Sequence, residues 1–232
     1  MAIANQIAWS DLVGYLASDK KSTIRTLDTV FIDRNNNHTQ WYFTNKNGSI
    51  SKKKDNSTSS ESILDRFSRF SLSNPCNTEG IIGVFVDLPI GSRELMKKDA
   101  LENYLNSGMP GLSKSGAFLQ VYLRPLRGAD VLFSCESNRL DELKYDHEII
   151  VVHQHHDSGA PAPTGKHEVT EDIYNQVTTF SESIIKCLRE HHNVLVDQMT
   201  IECIVDDNQQ AWLSSVSQCE ISTPEEQNNE QD

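Results

Sequence analysis

Apolar side chains recur along this chain in two rhythms. Between residues 171 and 192, Ile173, Val177, Phe180, Ile184 and Leu188 follow at intervals of 4, 3, 4 and 4, the stripe of an amphipathic helix. Thr170 stands where an N-cap is wanted, with Glu171 and Asp172 in the first turn. Arg189, His191 and His192 close the last turn, where the helix dipole favours cations, and Asn193 suits the exit. Shorter helical patterns cover residues 7–16 (Ile7, Leu12, Tyr15, Leu16), 62–70 (Ile63, Phe67, Phe70) and 94–105 (Leu95, Leu101, Tyr104, Leu105).

The second rhythm is that of strands. Residues 29–33 and 40–44 flank Asn35-Asn36-Asn37 and predict a hairpin. Residues 80–86 form a continuous apolar run, the mark of a strand buried on both faces. Further strands are expected at 117–123, 130–134 and 148–152, and a second hairpin joins 199–205 to 211–216, with Ile201, Cys203 and Val205 on one face. Roughly seven strands and four helices make an α+β fold, a mixed or antiparallel sheet with the long amphipathic helix packed on it.

Between these elements the pattern lapses. Residues 45–60 are rich in Ser, Lys and Asn and predict a mobile loop. The polar stretch 136–144 reads as punctuation between strands, and residues 154–168 as a flexible linker. Residues 218–232 read as a disordered acidic tail beyond a single domain over 1–217.

Composition narrows the function classes. The 232 residues carry 33 acidic and 21 basic side chains, a net charge of −12. That balance argues against nucleic acid as a partner, because phosphate binding needs concentrated Lys and Arg. No apolar run reaches the roughly 20 residues of a membrane helix, and residues 1–9 lack the basic n-region of a secretory signal. Cys76, Cys135, Cys187, Cys203 and Cys219 are odd in number and form no C-x-x-C pair, so a reduced, cytoplasmic setting is expected. Cys187 and Cys203 read as small buried hydrophobes.

Candidate chemistry is sparse. His153, His155 and Asp157, with His147 and His167 nearby, have residue types and alternate spacing that suit zinc or copper. They lead into the flexible linker, which cannot hold ligands in rigid geometry, and surface histidines are the simpler reading. Asp206-Asp207-Asn208 fails as a calcium loop, since Ala211 and Ser217 stand where Gly and Glu are required. Cys187 and His191 lie one helical turn apart, but Cys187 adjoins the apolar stripe. No nucleophile elbow and no P-loop is present, and no cofactor is expected. The Ser-rich residues 57–62 offer phosphate acceptors facing Lys52, Lys53 and Lys54.

Residues 116–125, Gly-Ala-Phe-Leu-Gln-Val-Tyr-Leu-Arg-Pro, resemble a strand in a domain of proteins from ciliated and flagellated organisms. That likeness extends to the polar residues 137–140, the long helix, and a hairpin with Asp206 before its turn and Trp212 after it. It implies a cilium- or cytoskeleton-associated scaffold. The same hairpin is similar to the C-terminal strands of tubulin tyrosine ligase-like enzymes of the ATP-grasp group, in which the strand after the turn carries an acidic Mg²⁺ ligand followed by Asn. Residues 213–217, Leu-Ser-Ser-Val-Ser, hold neither.

The expected function is therefore a non-catalytic, cytoplasmic protein-interaction module, with Arg124 and Arg127 as anchors for an acidic partner surface. The alternatives are a divergent enzyme, either an ATP-grasp-like ligase or a metal-dependent hydrolase, and a nuclear regulatory factor using Lys52, Lys53 and Lys54.

Overall fold

The computed structural model describes residues 5–33, 37–54, 58–73, 80–87, 92–107, 117–125, 131–153 and 169–223. The first half of the chain runs β1 (Asn5–Gln6), α1 (Trp9–Ser18), β2 (Thr29–Ile32), β3 (His38–Thr44), β4 (Ile50–Lys52), α2 (Ser60–Ser73), β5 (Ile81–Asp87), β6 (Ser92–Lys97) and α3 (Lys98–Ser107). The second half runs β7 (Ala117–Val121), β8 (Val131–Arg139), β9 (Tyr145–His153), α4 (Glu171–His192), β10 (Leu195–Val205) and β11 (Ala211–Ser222). The class is α+β, but the strands form two sheets, ordered β1-β11-β10-β8-β9 and β4-β3-β2-β7-β5-β6. Every neighbouring pair in both is antiparallel. Among the described residues no helix is long and apolar enough to cross a membrane.

Alternation along the strands of the six-stranded sheet divides the interior in two. Phe31, Tyr42, Val84, Val86 and Phe118 join one apolar cluster with Trp9, Leu12, Val13 and Leu16 of α1. Val30, Trp41, Phe85, Leu119 and Val121 join the other with Ile63 and Phe67 of α2 and Leu101 and Tyr104 of α3. Every residue of β5 and β7 is buried as a result, which is why β5 reads as an unbroken apolar run. The first cluster also takes in Val177, Ile184, Ile185, Cys187 and Leu188 of α4 and Cys135, Met199, Ile201 and Cys203 of the five-stranded sheet.

At α4, Thr170 Oγ1 accepts from Ile173 N at 3.4 Å, and Asn193 adopts the left-handed conformation (φ 52°) while its N–H bonds Arg189 O at 3.2 Å. Thr170→Ala should lower stability by about 1 kcal/mol, read as a fall in the urea midpoint at unchanged slope.

Five expectations are corrected. Residues 94–105 divide into β6 and α3, because Leu95 packs with the first cluster and Met96 with the second, as a strand requires. Within 45–60, where a mobile loop is expected, β4 occupies Ile50–Lys52 and α2 begins at Ser60, while residues 55–57 lie outside the described residues. The turn before β4 is held by Asn45, whose Oδ1 accepts from Asn47 N and Ser49 N and whose Nδ2 donates to Ser49 and Ser51 hydroxyls. Gly48 there takes φ +83°, and Ile50 is buried. The strand at 130–134 continues through polar residues to Arg139. Residues 218–222 belong to β11, where Cys219 and Ile221 face the core, so the tail expectation keeps only 224–232, which lie outside the described residues. The linker at 154–168 lies outside them too. In α1, Tyr15, expected to bury, is 39 % exposed.

Candidate functional site

The register of the five-stranded sheet sets polar side chains in rows on the face opposite the first apolar cluster. One row runs Asp146–Asn138–Gln198–Glu220 across β9, β8, β10 and β11, and the next runs Glu148–Glu136–Thr200–Gln218. Asp146 and Glu148 are exposed and the other six are partly exposed. These two rows hold four carboxylates and neither Lys nor Arg.

Side-chain amides organise the acids. Asn138 Nδ2 and Gln198 Nε2 donate to Glu136 Oε1 at 3.0 and 2.9 Å, and Gln218 Nε2 donates to Gln198 Oε1 at 3.1 Å and to Glu220 Oε1 at 2.9 Å. The bonds from Asn138 and Gln198 hold the Glu136 carboxyl below its ordinary value. Glu136 therefore stays ionised at neutral pH, directly opposite Glu148. Like charges facing each other across strands are destabilising; the Asn138 and Gln198 amides stabilise Glu136, and neither row supplies a cation.

The third row, Ile150–Ser134–Glu202–Ser215, differs because Arg93 of β6 reaches it from the other sheet. Arg93 pairs with Glu202 and donates to Ser214 Oγ at 3.5 Å and Ser215 Oγ at 3.3 Å. The sheets also meet at Gln120, which bonds Thr29 and Ser214 inside the core.

On the opposite face lies a serine–histidine pair that sequence reading missed. Ser137 Oγ is 2.9 Å from His147 Nδ1 and 2.8 Å from Ser181 Oγ, and His147 Nε2 is 3.5 Å from Glu182 Oε1. The order Ser–His–carboxylate suggests a nucleophile and its base. But Ser137 and Ser181 are fully buried, and the cavities of about 650 and 460 Å³ lie elsewhere, beside Trp9 and Phe31 and beside Arg25 and Gln176. No carbonyl can approach the hydroxyl, and the arrangement ties α4 to β8 and β9.

The thiols are equally inert. Burial pushes Cys187 and Cys219 up to about 12 and raises Cys135 and Cys203 as well. Cys187 and His191 do not pair with each other; both lean on Asp19, at 3.8 and 3.3 Å. A thiol held up in the folded chain leaves the unfolded chain to ionise first, at about 8.5. The stability these thiols contribute is intact below that pH and is lost as pH climbs toward their native values. Iodoacetamide should label these four cysteines at neutral pH only after unfolding, and the urea midpoint should fall from about pH 8 to about pH 10. Fast labelling of any of the four in the native chain would contradict the burial.

Of the residues singled out by sequence, His153 ends β9 opposite Val131, while His155, Asp157 and Arg127 lie outside the described residues. Arg124 follows β7 and is partly buried. Among the described residues no group of three His, Cys, Asp or Glu side chains is placed to hold a metal ion. Lys53, from the candidate nuclear-import run, lies over the Trp41 ring at 3.2 Å, and burial lowers its pKa. The Asp206–Trp212 pattern has a structural role. Asp206 accepts from Asn208 N, Gln210 N and Trp212 Nε1, each at 2.9 Å, and so clasps the β10–β11 turn. In comparisons with known proteins, the chain matches no family model and no curated sequence.

Proposed function

We propose that this protein is a non-catalytic protein-interaction module that docks a basic partner on the two acidic rows of its five-stranded sheet. The observation that carries the reading is the opposed pair Glu136 and Glu148, set in two rows that also hold Asp146 and Glu220 and contain neither Lys nor Arg. A partner's Lys and Arg side chains would relieve that repulsion, which gives complementarity and a fast, salt-sensitive association. The setting proposed is the cytoplasm beside a cilium or the cytoskeleton, and it rests on the likeness of residues 116–125 and the Asp206–Trp212 hairpin alone. Arg124 and Arg127 are not needed in this reading, because the charge on offer is negative.

Oligolysine binding to the full chain tests it. A variant carrying Glu136→Gln, Asp146→Asn, Glu148→Gln and Glu220→Gln should bind about thirtyfold more weakly, some 2 kcal/mol from four solvent-accessible pairs. A control with Glu94→Gln, Glu102→Gln, Glu142→Gln and Glu190→Gln, all exposed positions elsewhere, changes net charge equally and should bind as the native chain does. Equal loss in both would reduce the interaction to bulk charge. A stoichiometric zinc content or a thermal shift with ATP and Mg²⁺ would favour the enzyme instead.

A further inference from the structure

We infer that the outer edge of β9 takes an extended partner segment by strand addition, and that this segment alternates basic and aliphatic residues. The inference rests on the proposed function and specifies its partner.

Among the described residues only β8 pairs with β9, so β9 is an edge strand of nine residues. An antiparallel neighbour engages the backbone of alternate residues and leaves the remaining N–H and C=O groups pointing outward. At Tyr145–His153 the two faces of this edge differ in chemistry. Asp146 and Glu148 stand on the acidic face, followed by Ile150 at 53 % exposure. Tyr145, Ile149 and Val151 lie on the other, packed at the margin of the first apolar cluster. Tyr174 of α4 leans over that side and donates to the His147 carbonyl at 3.2 Å, the residue still 40 % exposed.

A strand laid along this edge would continue both faces. Its residues beside Ile149, Val151 and Tyr174 would bury apolar surface, while those between would sit beside Asp146 and Glu148 and gain from positive charge. A second copy of the chain is a poor occupant. Full-length antiparallel pairing of β9 with itself would set Asp146 beside Val152 and Glu148 beside Ile150, giving neither acid a cation, between molecules already carrying a net charge of −12.

The test uses the full chain and a synthetic peptide of alternating lysine and valine, against three comparisons. The first is a glutamate–valine peptide, the second is the lysine–valine peptide N-methylated along one edge, and the third is the Asp146→Lys/Glu148→Lys protein. Anisotropy should show binding of the lysine–valine peptide, about tenfold weaker when N-methylated because the ladder bonds are lost. The charge-swapped protein should prefer the glutamate–valine peptide. Hydrogen exchange at the β9 amides left free by β8 should be fast in the free protein and slow in the complex.

If the N-methylated peptide binds as well as its parent while β9 exchange is unchanged, strand addition is wrong and docking on the acidic rows survives. If no basic peptide binds, both readings fall. Slow exchange at those amides before any peptide is added, or dimerisation through β9, would also overturn the inference, since the edge would already be covered.

Discussion

Replacing Gln120 with leucine is expected to lower the free energy of unfolding by about 3 kcal/mol, although leucine is apolar and of similar size. Gln120 lies within β7 with 1 % of its surface exposed. Its Nε2 donates to Thr29 Oγ1 and to Ser214 O, both at 2.9 Å, and its Oε1 accepts from Ser214 Oγ at 2.9 Å. Leucine leaves little cavity, so the loss comes from polar groups stranded without water. Thr29 keeps its bond to Leu27 O, but the Ser214 carbonyl loses the donor Gln120 supplies and its hydroxyl loses an acceptor. Each unsatisfied buried group costs about 1–3 kcal/mol. The paired change Gln120→Leu/Ser214→Ala should recover part of the loss by removing the stranded hydroxyl. Urea unfolding of the three variants measures this, and a loss below about 1 kcal/mol for Gln120→Leu would contradict the junction as described.

Arg93→Met should be at least as costly. Arg93 and Glu202 are 9 % and 18 % exposed, and they join β6 of one sheet to β10 of the other. Ser215 Oγ also donates to Glu202. Removing the guanidinium leaves a carboxylate in a nearly dry site with hydroxyls for company, and breaking such a pair from one side costs about 3–5 kcal/mol. The double variant Arg93→Met/Glu202→Met removes the stranded charge and should lie within about 1 kcal/mol of the native chain, because a buried ion pair contributes little over a well-packed apolar replacement. A double variant no more stable than Arg93→Met would mean that shape, not charge, makes this contact.

How far the sequence reveals the molecule depends on where each element finds its partners. The boundaries of α4 were readable because its cap, first-turn acids, apolar stripe and exit residue all lie within the helix itself. β5 was readable because both its faces are covered and almost any apolar residue serves. β6 was not, since Leu95 and Met96 are committed to opposite clusters by pairing with β5, while Leu101 and Tyr104 beyond them extend a helix-like spacing. The turn before β4 looked unstructured because Asn45 orders it by hydrogen bonds rather than by apolar burial.

The acidic rows were hidden for a related reason. Asp146 and Glu148 show a period of two, as do Glu136 and Asn138, Gln198 and Thr200, and Gln218 and Glu220. Each pair alone says only that one face of a strand is wet. That the four pairs form one surface follows from the register of β8, β9, β10 and β11, which bring distant segments together. Ser137 and His147 meet through the same β8–β9 register, a link that spacing along the chain does not show.

The most direct measurement of the central claim is an NMR titration of the full chain with oligolysine, following every backbone amide. The account predicts saturable shifts concentrated at Glu136, Asn138, Asp146, Glu148, Gln198 and Gln218, abolished by raised salt and by neutralising the four carboxylates. Shifts centred instead on the cavity beside Trp9, or spread evenly over the surface, would contradict it.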